Sequence, residues 1–152
     1  MNDASIQLEP RSSEGSLSAQ RLLGAILGFT GTGHLTFLRK PFHAQVPPGI
    51  PLTEDQVVAL SGPAELLLAA SLLLAKSRKT RVPVGWAAAA FFVAIFPGNI
   101  AQWQYHRNAF GLNTDTKRFL RLFGQPVLIA WALWATGALR SGDASRSGEA
   151  SR

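Results

Sequence analysis

Five residues carry groups that could do chemistry while sitting inside apolar stretches: His34, Ser61, Glu65, Asn99 and Gln125. Glu65 is the most telling of them. At the centre of a bilayer an acidic or basic side chain costs about 2.5–3.5 kcal/mol, so it usually faces a bundle interior and finds a partner. His34 is the ionisable group expected at a comparable depth. A Glu65–His34 hydrogen bond, ringed by Ser61, Asn99 and Gln125, would make a polar pocket able to exchange protons with a small head group. The two amides would orient that group's carbonyls. The plain alternative is that these side chains bond across helices merely to hold them together, worth about 0.6 kcal/mol on average. Ser61, Thr30 and Thr32 could also bond the preceding turn of their own helices.

Other chemistries lack their residues. There is no cysteine, which removes disulfides, thiolate nucleophiles, Cys-ligated iron–sulfur clusters and attached c-type haem. His34, Glu65 and His106 have no recognised ligand spacing, so no metal site is expected. A Ser/His/Asp set, a phosphate-cradling glycine loop and a dinucleotide fingerprint are all missing. No cofactor is encoded in this chain. The formal charge is +6 and the pI about 10.8. In a soluble protein that would raise nucleic-acid binding. Here the basic residues fall between apolar stretches, so nucleic acid is not expected as a partner.

Four nearly charge-free stretches must position the polar set: residues 22–38, 56–75, 82–106 and 122–139. A bilayer core takes about 20 mostly apolar residues of helix. Four such runs leave almost no polar chain for a water-soluble shell. The fold expected is all-α, an integral membrane four-helix bundle over residues 18–140, with the lipid bilayer as its first partner. Residues 1–17 and 141–152 are expected to be disordered polar tails, the second reading SGDASRSGEASR. They dilute the mean hydropathy to +0.12. The first apolar run is expected to stay as an anchor, because Arg11 comes late and no small-residue cleavage site follows.

Antiparallel helices allow depths to be compared. At 1.5 Å per residue, His34 lies roughly 9 Å beyond the centre of the first span, and Asn99 roughly 9 Å beyond that of the third. Gln125 lies roughly 7 Å before the centre of the fourth, and Ser61 roughly 5 Å before that of the second. Because directions alternate, all point toward one face, opposite the basic loop at 76–81. The other half is expected to be almost entirely apolar.

The connections carry their own signals. Pro41, Pro47, Pro48 and Pro51 forbid helix in the loop 39–52 and favour a stiff, extended path, either a lid over the helix ends or a plain connector. Thr53 and Gln56 fit a capping box at the start of the second span. The third span is expected over 82–104. The fourth is expected to begin near 119, with Gly124 and Pro126 interrupting its first turns. Placing the basic loop in the cytoplasm puts both tails there too, with nine of the fifteen Lys and Arg residues.

These residues also resemble a family. Gly33-His34, Pro41-Phe42 and Val46-Pro47-Pro48 resemble the start of DoxX-like small membrane proteins. Ser61-Gly62-Pro63-Ala64-Glu65-Leu66 resembles their second-span motif, and Phe96-Pro97-Gly98-Asn99-Ile100-Ala101 their FPANI-type third-span motif. Arg121, Gln125 and Trp131 fit the fourth span. Three positions depart from the pattern: Leu35 stands where Phe is frequent, Gly98 where Ala is usual, and Phe123-Gly124 lacks a proline before the glutamine. The resemblance implies a four-helix bundle in the bacterial cytoplasmic membrane. Some members are linked to quinone-coupled sulfur oxidation, others to membrane complexes that handle oxidative stress.

Two functions follow as expectations. In one, the chain is an accessory or ligand-binding subunit of a membrane redox system. His34, Ser61, Glu65, Asn99 and Gln125 would hold a quinone-like head group, and electrons would come from membrane redox partner proteins. Any enzyme activity would then be that of a quinone-linked oxidoreductase subunit without its own redox centre. In the other, the chain is a non-enzymatic scaffold or assembly protein. The glycine face of the first span would then pack against other chains or a second copy.

Overall fold

In the computed structural model, which describes residues 12–140, the regular elements are all helices, apart from one isolated bridge between Ala109 and Leu112. Helix α1 spans Ser12–Leu35. It starts at residue 12 rather than 18, so residues 12–17 of the expected N-terminal tail are helical. The reason is tertiary: the Ser16 hydroxyl donates to the Ala135 carbonyl at 2.6 Å, which gives the extra turn a packing partner. The rest of the expected tails, residues 1–11 and 141–152, lies outside the described residues. At its other end α1 stops at Leu35, not 38. The Leu38 amide folds back to donate to the Gly33 carbonyl at 3.0 Å.

The proline-rich connection is not wholly extended. It opens with a single turn, α2 (Arg39–Phe42), and a 3-10 turn over His43–Gln45. Pro41 is tolerated because a first helical turn has no use for its missing N–H. Backbone extension begins only at Val46. Phe42 and Val46 then bury against Val58, with Leu38 and Val57 beside them.

Helix α3 (Glu54–Leu74) opens on the capping box read from Thr53 and Gln56, with both reciprocal bonds made at 3.0 and 3.2 Å. Helix α4 (Arg78–Gln104) begins inside the basic loop, at 78 rather than 82, with Ser77 as N-cap residue. Pro83 and Pro97 lie within it without ending it. The fourth stretch divides at Phe123 into α5 (Asp115–Leu122) and α6 (Gly124–Thr136). At 1.5 Å per residue, α6 alone is about 20 Å long, short of a bilayer core of about 30 Å. It ends at Gly137, whose left-handed φ of 76° suits a residue without Cβ, so the fourth stretch stops at 136 rather than 139.

Three segments are long and apolar enough to cross a membrane: Glu54–Leu74, Arg78–Gln104 and Asp115–Thr136. Their outward faces are apolar. Leu60, Leu67 and Leu74 on α3, Trp86 and Val93 on α4, and Val127 and Trp134 on α6 are each more than half exposed. So are Leu22 and Phe29 on α1. Water-soluble surfaces rarely gather such patches.

One core joins α1, α3, α4 and α6. Leu23 and Leu27 meet Ala69 and Leu72, then Ala88 and Phe92, then Ala132. α1 lies closest to α3, and α4 to α6, while α3 and α4 touch little. A Cβ on Gly24 would stand 3.1 Å from Leu72 Cβ, and one on Gly31 3.0 Å from Glu65 Cβ. The glycine face expected to meet other chains is therefore occupied by α3 of the same chain.

The basic-loop end is not purely apolar either. Gln20 is fully buried and donates to the Leu72 and Ala75 carbonyls at 2.6 and 2.9 Å. Arg81 donates to Gln20 Oε1 at 2.7 Å and to the Ala135 carbonyl at 2.7 Å. This clamp puts the start of α1, the end of α3, the start of α4 and the end of α6 at one level. Helix directions therefore alternate, as the depth comparison required.

Candidate functional site

Helical spacing brings the polar side chains to the interior in pairs four residues apart: Thr30 with His34 on α1, Ser61 with Glu65 on α3, and Arg121 with Gln125 across the α5–α6 junction. Residues at i and i+4 share a helix face. These six and Asn99 of α4 line one open cavity of about 510 Å³. That is within the size range of small-molecule sites, roughly 300–1,000 Å³. All five residues singled out from the sequence are therefore brought together. The deeper wall is apolar, built from Leu23, Leu27, Phe92 and Leu128. Phe42, Gln45, Val46 and Pro47 of the proline-rich segment close the other end as a lid.

Two groups of polar residues behave differently. On the α1–α3 side, the Thr30 hydroxyl donates to Glu65 Oε2 at 2.6 Å. His34 Nδ1 lies 3.0 Å from the Thr30 carbonyl, an acceptor, and so donates to it. Its distance to Glu65 Oε2 is 3.5 Å. The expected Glu65–His34 pair is thus adjacent but not directly bonded, because Thr30 takes both partners. The His34 ring stacks on Phe42 with centroids 3.5 Å apart, fastening the lid to α1. Ser61 donates to its own helix at the Val58 carbonyl, 3.0 Å away.

On the α4–α6 side neither amide is bonded across to another helix among the described residues, and the Gln125 oxygen is unsatisfied. Asn99 is 4% exposed and Gln125 5% exposed. No group among the described residues hydrogen-bonds the Asn99 side chain, and the buried Gln125 Oε1 has no partner among them. A buried acceptor left unmade costs about 1–3 kcal/mol. Helix-holding amides would be bonded across to a neighbour. These two instead face the cavity.

The lid is seated by polar contacts at both ends. Arg39 forms a two-point pair with Asp55, Nε to Oδ1 at 2.6 Å. That carboxylate, by hydrogen bond and charge, raises the guanidinium's already high pKa. Arg107 donates to the Val46 carbonyl at 2.8 Å. Between them, Gln45 rests on α4 at Gly98, where a Cβ would lie 2.2 Å from the Gln45 carbonyl oxygen. The Gln45 amide lies against Arg121, and turned so that its oxygen faces the guanidinium it accepts from Nη2 at 2.7 Å. The Arg121 guanidinium also lies 5.4 Å from the centroid of the Phe110 ring.

Gln45 was not foreseen as part of the site, Thr30 was read as bonding the preceding turn of its own helix, and Phe42 and Arg121 entered only through the family resemblance. The i, i+4 spacing of Thr30 to His34 and of Arg121 to Gln125 was the available signal. The Phe123–Gly124 break concealed the second. Gln45 and Phe42 depend on the path of the lid, which spacing does not encode. Among the described residues, His, Asp and Glu do not group in threes at metal-holding distance.

Fold and site together define an all-helical protein with three segments suited to a bilayer and a ligand-sized cavity, polar at one end and apolar at the other. The chain belongs to the family described as Domain of unknown function (DUF8561), whose model matches residues 23–136. The match takes in every residue named on the cavity wall. No curated protein and no solved structure shows significant similarity to the chain.

Proposed function

We propose that this chain is a four-span membrane protein that binds a lipid-soluble molecule with a polar head, acting as an accessory subunit of a membrane redox system. The observation that carries this is a pair of amides, Asn99 and Gln125, on the wall of a cavity whose deeper part is apolar, with the buried Gln125 Oε1 unpartnered among the described residues. A ligand with carbonyls or hydroxyls on an apolar body would satisfy both regions. A quinone is such a ligand, and the DoxX-like order of motifs favours it. Glu65, Thr30 and His34 would exchange protons with the head group, while electrons would come from a partner protein.

Counting α1 as the first span is supported by its lipid-ready outer face of Leu22, Ile26 and Phe29. Its ends are also level with those of the other helices. A cytoplasmic basic loop would put both termini inside a bacterial inner membrane. Because the chain has no cysteine, single cysteines report topology cleanly. An impermeant thiol reagent outside should label a His106→Cys variant and spare a Lys79→Cys variant. The opposite pattern reverses the orientation.

The ligand is tested by extracting protein purified from quinone-replete membranes. Bound quinone that falls on Glu65→Gln supports the assignment, and quinone-free wild-type protein refutes it. A scaffold role is the second reading. The Thr30–Glu65 bond between α1 and α3 favours it, since that contact holds two helices together within one chain.

A further inference from the structure

We infer that the cavity selects ligands whose head group carries an acidic oxygen in its ionised form, and that Arg121 is the residue that reads it. This rests on the cavity being a binding site for a lipid-soluble molecule, and narrows the class of that molecule.

Arg121 lies on the cavity wall at its lid end. Such a cation ordinarily has a carboxylate beside it. Among the described residues, none lies within salt-bridge distance. The acidic groups near the lid are already engaged: Glu54 with Arg107, Asp55 with Arg39, and Asp115 with Arg118. Glu65, the carboxylate of the cavity itself, is taken by Thr30, with His34 beside it. The two groups set against the Arg121 guanidinium are neutral. With its amide oxygen turned to Arg121, Gln45 accepts from Nη2 at 2.7 Å and from Nη1 at 3.2 Å, and the Phe110 ring lies against the guanidinium.

The geometry of that contact matters. Gln45 occupies the edge of the guanidinium between its two terminal nitrogens. The other edge, formed with Nε, has no hydrogen-bond partner among the described residues. A planar fork of that kind recognises a carboxylate, or another delocalised oxyanion, through two parallel bonds. Gln125, four residues further on, lies on the same cavity wall. The apolar wall of Leu27, Phe92 and Leu128 would take a hydrocarbon body. The ligand class is therefore an amphiphile with an ionised acidic oxygen. A free long-chain carboxylic acid and an acidic hydroxyquinone both have that chemistry.

The test uses the full chain, purified in neutral detergent and titrated with matched pairs. One pair is palmitic acid and hexadecanol. The other is a 2-hydroxynaphthoquinone and its 2-methoxy analogue. The acidic member of one pair or both should bind roughly tenfold or more tighter, the scale of one charge-assisted hydrogen bond. Preference in the first pair alone identifies a fatty-acid-like ligand, and in the second alone a quinone-like one. Arg121→Gln should abolish the preference while the neutral member binds as before, and Arg121→Lys should keep part of it. Equal binding of acid and neutral analogue to the wild type overturns the role of Arg121 but leaves the cavity as a binding site. Binding of no member of either pair overturns both. The wild-type comparison decides the matter even where a variant fails to fold.

Discussion

Replacing Gln125 by leucine should make the empty protein more stable and the liganded protein less so. Gln125 is 5% exposed, and its Oε1 has no partner among the described residues. An unmatched buried acceptor costs about 1–3 kcal/mol, and that cost disappears when an apolar side chain of similar size replaces it. The expected change is therefore a gain in stability of the ligand-free chain within that range, read as a higher unfolding midpoint. This is a demanding expectation, because most point substitutions destabilise by about 1 kcal/mol. The bound state should respond in the opposite sense. A neutral hydrogen bond is worth about 0.5–1.5 kcal/mol, so ligand affinity should fall between about twofold and tenfold. Thermal unfolding of a fluorescent fusion, followed by size-exclusion chromatography with and without ligand, reads both changes. A Gln125→Leu protein that is less stable when empty would refute the reasoning, since it would mean the amide is bonded across helices and serves to hold them.

Three other substitutions separate the parts of the structure. Thr30→Val removes the hydrogen bond to Glu65 and should destabilise by about 1–3 kcal/mol, while Ser61→Ala, which loses only a bond to its own turn, should change stability by less than about 0.5 kcal/mol in the same melts. Arg81→Gln breaks the bonds to Gln20 and the Ala135 carbonyl and should lower the unfolding midpoint clearly, whereas the exposed Arg78→Gln should leave it within error. Gly98→Ala puts a methyl group 2.2 Å from the Gln45 carbonyl, so the lid must lift or the chain must lose about 1–3 kcal/mol; faster proteolysis within residues 43–52 would report the first, and an unchanged melt with unchanged proteolysis would contradict the seat of the lid.

The parts of this molecule that local rules govern were legible from the residues alone. Thr53 and Gln56 are three positions apart, and the capping box they form needs no tertiary partner. The convergence of His34, Ser61, Glu65, Asn99 and Gln125 was also legible, because depth in antiparallel helices follows from counting residues. What failed to show was anything set by a distant contact. α1 gains its first turn from Ser16 meeting Ala135, more than a hundred residues away. Pro41 reads as a helix breaker until it falls in a first turn, where its lost donor does not matter. Glu65 and His34 could be expected within reach of each other, but counting cannot reveal that Thr30 reaches both first. Gln20 and Arg81 sit at the edges of apolar runs, where a polar residue looks like a boundary rather than a clamp. Arg121 lies beyond the break at Phe123, so its shared face with Gln125 appears only once α5 and α6 are placed.

The central claim is that Asn99 and Gln125 are held on the cavity wall for a molecule that occupies it. Native mass spectrometry of the chain released gently from its own membranes tests this most directly. The wild-type protein should carry a bound small molecule of reproducible mass, and the occupied fraction should drop in an Asn99→Leu variant that folds normally. A wild-type spectrum showing the bare chain alone, or a bound mass whose occupancy ignores Asn99, would contradict it.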